Sequence, residues 1–145
     1  MKKLITLISF SVLLFVAAAC GNDEINGQTP SDIPIEWANA MIQRDQATRA
    51  ELLQNPSEAL DLSEGPQNDE ELQNYRLEEW KASDDKYFYE IKFTDPVSNE
   101  GRTQTMEIRR TDEGWKRTQL LNLKNFDTLV EGLDGTVLRE LHEDD

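Results

Sequence analysis

Near residue 72 the spacing of apolar residues changes from three and four to two, and no other feature constrains the fold as strongly. Before the change, Ile35, Ala38, Met41 and Ile42 recur at helical spacing, with Trp37 beside the stripe and Pro34 suited to a first turn. Asp45 interrupts that pattern and is placed to cap a second short helix carrying Ala47, Ala50, Leu52 and Leu53. That helix is expected to stop before Asn55-Pro56, because the residue preceding a proline disfavours the helical region. Ser57 to Leu62 reads as a further turn, and residues 63–71 as a polar loop.

After the change, Tyr75, Leu77 and Glu79 alternate with Arg76, Glu78 and Trp80. Tyr87, Tyr89, Ile91 and Phe93 alternate with Phe88, Glu90 and Lys92. Period-two alternation marks strands with two different faces. Asp84-Asp85 fits a turn between them, and Asp95-Pro96 through Glu100-Gly101 a longer one. Met106 and Ile108 mark a third strand, and Asp112-Glu113-Gly114 turns it into a fourth with Trp115, Arg117, Gln119 and Leu121. Helices followed by an antiparallel meander of about four strands make an α+β fold. In residues 125–145, Phe126, Leu129, Val130 and Leu133 return to helical spacing, so a docked C-terminal helix with an acidic tail is expected.

The N-terminus has a different logic. Lys2 and Lys3 precede an uncharged apolar run from Leu4 to Val16, and Ala17, Ala18 and Ala19 then lead to Cys20. Such a charged, apolar, small-residue series is a secretory signal, too short for the roughly 20 apolar residues of a membrane span. Ala17-Ala18-Ala19-Cys20 followed by Gly21-Asn22 resembles the lipobox of bacterial lipoproteins. The resemblance implies diacylglyceryl transfer to the Cys20 sulfur, cleavage before it, and a palmitate-type anchor at the extracytoplasmic face of the cell membrane. Cys20 is the only cysteine, so it has no intramolecular disulfide partner and lipidation gives the lone thiol a use. Residues 20–33 are polar and rich in turn formers, and read as a flexible tether ahead of a domain spanning 34–124.

Removing residues 1–19 takes away two lysines and no acid, leaving 13 basic and 29 acidic residues, a net charge of −16. Nucleic acid is excluded as a partner, since phosphate backbones are held by clustered Lys and Arg. The mature chain of 126 residues fits one small domain.

Trp37-Ala38-Asn39-Ala40-Met41-Ile42-Gln43-Arg44-Asp45, with Leu52-Leu53 and Asn55-Pro56 after it, resembles the opening of nuclear transport factor two-like (cystatin-like) domains of Gram-positive lipoproteins. Glu113-Gly114-Trp115-Lys116 resembles the late strand of the same family. The resemblance implies a curved sheet wrapped around the helices as a cone, whose mouth in many members binds a small molecule.

Catalytic machinery is scarce. The only histidine, His142, lies in the acidic tail, and no second histidine or available cysteine exists for a Ser-His, Cys-His or zinc constellation. Asp69-Glu70-Glu71, Asp84-Asp85 and Glu143-Asp144-Asp145 lack the spacing of a calcium loop, so no metal or other cofactor is expected. The candidate pocket residues are Asp45, Trp80, Tyr87, Tyr89 and Trp115. For Asp45 helix capping competes with a pocket carboxylate, and for the aromatics core packing competes with ligand contact. The expectation is a non-catalytic binding or accessory domain, held to the membrane through Cys20 and facing a protein, peptide or small ligand. The alternative is a small enzyme using a buried carboxylate in an aromatic pocket.

Overall fold

The computed structural model describes residues 23–142; Cys20 and the signal segment lie outside the described residues. Two helices pack on one face of an open antiparallel sheet: α1 (Asp32–Gln43) and α2 (Gln46–Leu52) precede β1 (Tyr75–Ser83), β2 (Lys86–Thr94), β3 (Gly101–Thr111) and β4 (Gly114–Arg117). A single helical turn, α3 (Phe126–Leu129), leads to β5 (Gly135–Arg139). The sheet has five strands in the order β4-β3-β2-β1-β5.

The α+β class and the four-strand meander follow the sequence pattern, but the C-terminal segment departs from it. Only Phe126–Leu129 of the expected helix is helical, and Gly135–Arg139 adds a fifth strand along β1, with Glu78 opposite Val137 and Trp80 opposite Gly135. Gly132, at a φ of 82°, ends the helical spacing. The edge of β1 then offers the next five residues a row of unsatisfied backbone groups. The fourth strand is also shorter than the alternation suggested, ending at Arg117 rather than Leu121.

Register places Tyr87, Tyr89, Ile91 and Phe93 opposite Ile108, Met106, Gln104 and Arg102, and Tyr89 and Ile91 opposite Glu79 and Leu77. These side chains make the inner face. Ile33, Trp37, Ala38 and Ile42 from α1 and Leu52 and Leu53 from the end of α2 close the core over them. On the outer face, Phe126 sets its ring edge-on to Trp80 and Phe88, at centroid distances of 5.3 and 6.4 Å. Residues 118–134 thus carry the chain from the β4 edge of the sheet across its back to β5.

The segment read as a tether belongs partly to the body. Helix α1 starts two residues earlier than the pattern indicated, and Ile33 is fully buried. Ile25 and Gln28 exchange backbone hydrogen bonds of 2.9 and 3.0 Å, and Ile25 packs against the core. A polar composition concealed this because the anchoring is done by backbone carbonyls and two isoleucines.

Helix α1 ends with Arg44 in the left-handed region at φ 58°, where the N–H of Asp45 reaches back to the Ala40 carbonyl at 2.9 Å. Asp45 then begins α2 at once, so the two helices form a tight corner. Beyond α2, Leu53 bridges to Arg117 and the Gln54 N–H donates to the Arg117 carbonyl at 2.8 Å, covering the outer edge of β4.

Candidate functional site

The five residues singled out from the sequence do not converge. Tyr87, Tyr89 and Trp115 share the inner face, where Tyr87 meets Trp115 edge-on at 5.5 Å and lies 6.1 Å from Tyr89 in a near-parallel stack. Trp80 points to the opposite face, against Phe126. Strand parity explains the separation: Trp80 stands opposite Phe88, an outward position, whereas Tyr89 stands opposite Glu79.

Asp45 is buried and caps α2, accepting from the Thr48 N–H at 3.0 Å and the Thr48 hydroxyl at 2.7 Å. The other acids near the core have partners too. Glu79 accepts the Tyr89 hydroxyl at 2.6 Å. Burial, and then the Glu79 carboxylate, push the Tyr89 phenol well above its ordinary pKa. Asp95, 1% exposed, accepts from the Val97 N–H at 2.9 Å and holds the turn between β2 and β3. At the C-terminus, the His142 N–H donates to Asn74 Oδ1 at 2.6 Å. Among the described residues, no group of three His, Cys, Asp or Glu side chains is arranged to hold a metal ion.

A different group does come together. A cavity of about 220 Å³ opens between the helical corner and β3, lined by Met41, Arg44, Gln46, Arg49, Gln67 and Arg102. Arg44 sits there because it is the left-handed residue at the end of α1, and Arg49 because α2 turns back directly after it. Arg102 comes from the inner face of β3 opposite Phe93.

A fourth guanidinium lies in the core beside this group. Arg117 is fully buried, stands 4.1 Å from the centroid of the Trp37 ring, and donates through Nε to the Gln119 carbonyl at 2.7 Å and through Nη1 to Gln104 at 3.3 Å. Arg49 stands over the same indole at 5.0 Å. Burial lowers the pKa of both, and for Arg117 the neighbouring Arg49 charge adds to the effect.

Counter-charge is short. Asp95 Oδ2 is 3.9 Å from Arg44 and 3.6 Å from Arg102, and Glu100 is 3.4 Å from Arg102. Neither Arg49 nor Arg117 has an ion-pair partner among the described residues, and Arg49 Nε and Arg117 Nη2 are buried with no hydrogen-bond acceptor. A buried guanidinium without a carboxylate, as at Arg117, is costly, since the desolvation penalty of the charge goes uncompensated; Arg49 is only partly buried, at the cavity wall.

The sequence held a signal for part of this cluster. The alternation that turned Trp115 inward turned Arg117 inward as well, two residues on. Arg44, Arg49 and Arg102 carried none, because the corner between the helices and the sheet register bring them together.

A second cavity of about 480 Å³ lies at the β1–β2 and β3–β4 turns, among Ser83, Asp85, Lys86, Arg109, Arg110, Thr111 and Asp112. Its charges are mostly satisfied: Arg110 meets Asp85 at 3.3 Å, and Arg109 and Lys86 meet Glu107 at 3.3 and 4.0 Å. None of the five sequence candidates lines either cavity.

Comparison with protein-family models, with curated proteins and with solved structures finds no match.

Proposed function

We propose that the chain is a bacterial lipoprotein, anchored by a lipid on Cys20 at the extracytoplasmic face of the cell membrane, whose domain binds a ligand or partner rather than catalysing a reaction. The observation that carries this reading is the series Ala17-Ala18-Ala19-Cys20 behind a basic, apolar leader, in a chain with a single cysteine. Two acyl chains suffice for stable anchoring without help from a basic surface, at about 0.8 kcal/mol per buried methylene.

The docked segment bears on how such an anchor would hold the domain. The Asp23 carbonyl accepts the Trp115 indole N–H at 2.6 Å, so only three residue steps separate the lipidated sulfur's residue from the body. Extended chain spans about 3.5 Å per residue, which keeps the domain within about 10 Å of the anchor point. The domain would ride close to the headgroups rather than on a long leash.

The non-catalytic part of the reading is supported by how the acids are used. Asp45 is engaged by Thr48, Glu79 by Tyr89, and Asp95 by its own turn and two arginines. The cystatin-like cone is part of the same proposal, supported by α1 lying across β2, β3 and β4 on one face of the antiparallel sheet.

Fractionation of cells producing the Cys20→Ala variant tests the anchor. The wild-type chain should partition with membrane, and variant chain freed of residues 1–19 should leave it; equal partitioning of the two mature chains overturns the proposal.

A further inference from the structure

At the cavity in the corner of α1 and α2, Arg49 Nε and, behind it, Arg117 Nη2 are buried with no hydrogen-bond acceptor. We infer that this cavity binds a phosphate-type oxyanion, with Arg44, Arg49 and Arg102 as its direct donors and Arg117 as a buried charge behind them. The inference rests on the binding-domain reading and names its ligand class.

Charge and donor geometry carry the argument together. Two carboxylates, Asp95 and Glu100, lie in ion-pair range of Arg44 and Arg102, but neither pairs with Arg49 or Arg117; the other acids of the corner, Asp45 and Glu64, are engaged by Thr48 and Gln67. A phosphate monoester, with close to two negative charges at neutral pH, supplies the anionic partner that Arg49 lacks and that also offsets Arg117 behind it. Guanidinium forks pair bidentately with phosphate oxygens, and three forks from α1, α2 and β3 suit a tetrahedral anion better than a flat one. Gln46 adds an amide to the lining, the Gln67 amide already donates to Glu64 at 3.3 Å, and about 220 Å³ holds a small phosphorylated molecule or a headgroup.

The Trp37 ring couples the cavity to the core. Arg49, at the wall, and Arg117, fully buried, both stand over this indole, so an anion on Arg49 also relieves the repulsion between the two guanidiniums. Binding should therefore stabilise the fold as well as fill a surface pocket, and stabilisation grows with ligand concentration relative to the dissociation constant.

The full chain, purified in detergent, is titrated with inorganic phosphate at fixed ionic strength, with chloride as the reference, while thermal unfolding and tryptophan fluorescence are followed. Phosphate should raise the unfolding midpoint saturably and chloride should not. Arg49→Gln should weaken the apparent affinity at least tenfold, Arg102→Gln should do the same from the opposite wall if the first variant fails to fold, and Lys92→Gln, on the outer face, should leave it unchanged. A second arm floats the Cys20→Ala protein on vesicles of phosphatidylcholine with and without phosphatidic acid, a lipid phosphate monoester. Phosphate binding without flotation assigns a free ligand; flotation only with phosphatidic acid, abolished by Arg49→Gln, assigns a lipid headgroup. Equal responses to phosphate and chloride with no Arg49-dependent flotation overturn the inference. Failure of the Cys20 anchor in cells leaves the phosphate response intact, so the two proposals fail separately.

Discussion

The Trp115 indole N–H donates to the Asp23 carbonyl at 2.6 Å, joining residues 92 positions apart and fastening the first described residue to β4. Trp115 is almost fully buried against Tyr87, and the Arg110 guanidinium lies 5.1 Å from its ring centroid. Trp115→Phe keeps an aromatic ring but removes the donor. It should cost about 2–3 kcal/mol, about 1 from the hydrogen bond and the rest from the smaller ring. The specific readout is amide exchange at Ile25 and Gln28, which should quicken more than exchange in α1. Unchanged protection there would mean that residues 23–28 are held by something else.

Asp45 serves as the cap of α2, so its loss should affect stability and not ligand binding. Asp45→Ala should destabilise by about 1 kcal/mol, whereas Asp45→Asn keeps an acceptor for the Thr48 N–H and should cost less. Denaturant unfolding of the two variants checks the order. A loss of phosphate response in Asp45→Asn, with stability preserved, would return this residue to the candidate pocket.

The Tyr89–Glu79 pair sets an alkaline limit. Burial and the Glu79 carboxylate hold the Tyr89 proton in the folded state, while an unfolded tyrosine releases its proton near pH 10. The native chain therefore binds more protons above that pH, and stability falls as pH rises from about 10. The slope approaches about 1.4 kcal/mol per pH unit for one proton. Tyr89→Phe should remove that share of the slope in unfolding measured between pH 8 and 11, leaving the smaller part due to Tyr87, whose phenol burial also raises. An unaltered slope would show that Tyr89 ionises freely in the fold.

Gly135 is required where β5 passes Trp80. A Cβ at this position would lie 2.7 Å from Trp80 Nε1 and 2.8 Å from Glu78 Oε1, closer than real contacts allow. Gly135→Ala should cost about 1–3 kcal/mol through forced displacement. Amide protection along residues 136–139 should fall while β2 and β3 keep theirs. Protection equal to wild type would mean that the indole swings aside without loosening the edge.

The helical corner and the central strands were legible in the sequence because each is locally encoded. Asp45 sits at a break in the apolar stripe, and Tyr87 to Phe93 alternates without a fault. The C-terminal strand was not legible, since Val137, Leu138 and Leu141 fit a helix as well as a strand and only the open edge of β1 decides between them. Trp80 belongs with the inward aromatics by residue type but not by strand parity, which sets it opposite Phe88 on the outer face. The arginine cluster was hidden by the overall acidity: a net charge says nothing of four cations drawn from positions 44, 49, 102 and 117.

Lipid anchoring is tested most directly by the mass of the N-terminal peptide of the protein recovered from a bacterial membrane fraction. The chain should begin at Cys20, its mass raised by a diacylglyceryl group on sulfur, with residues 1–19 gone. A chain that retains Met1, or one cut near residue 20 with an unmodified thiol, would contradict it.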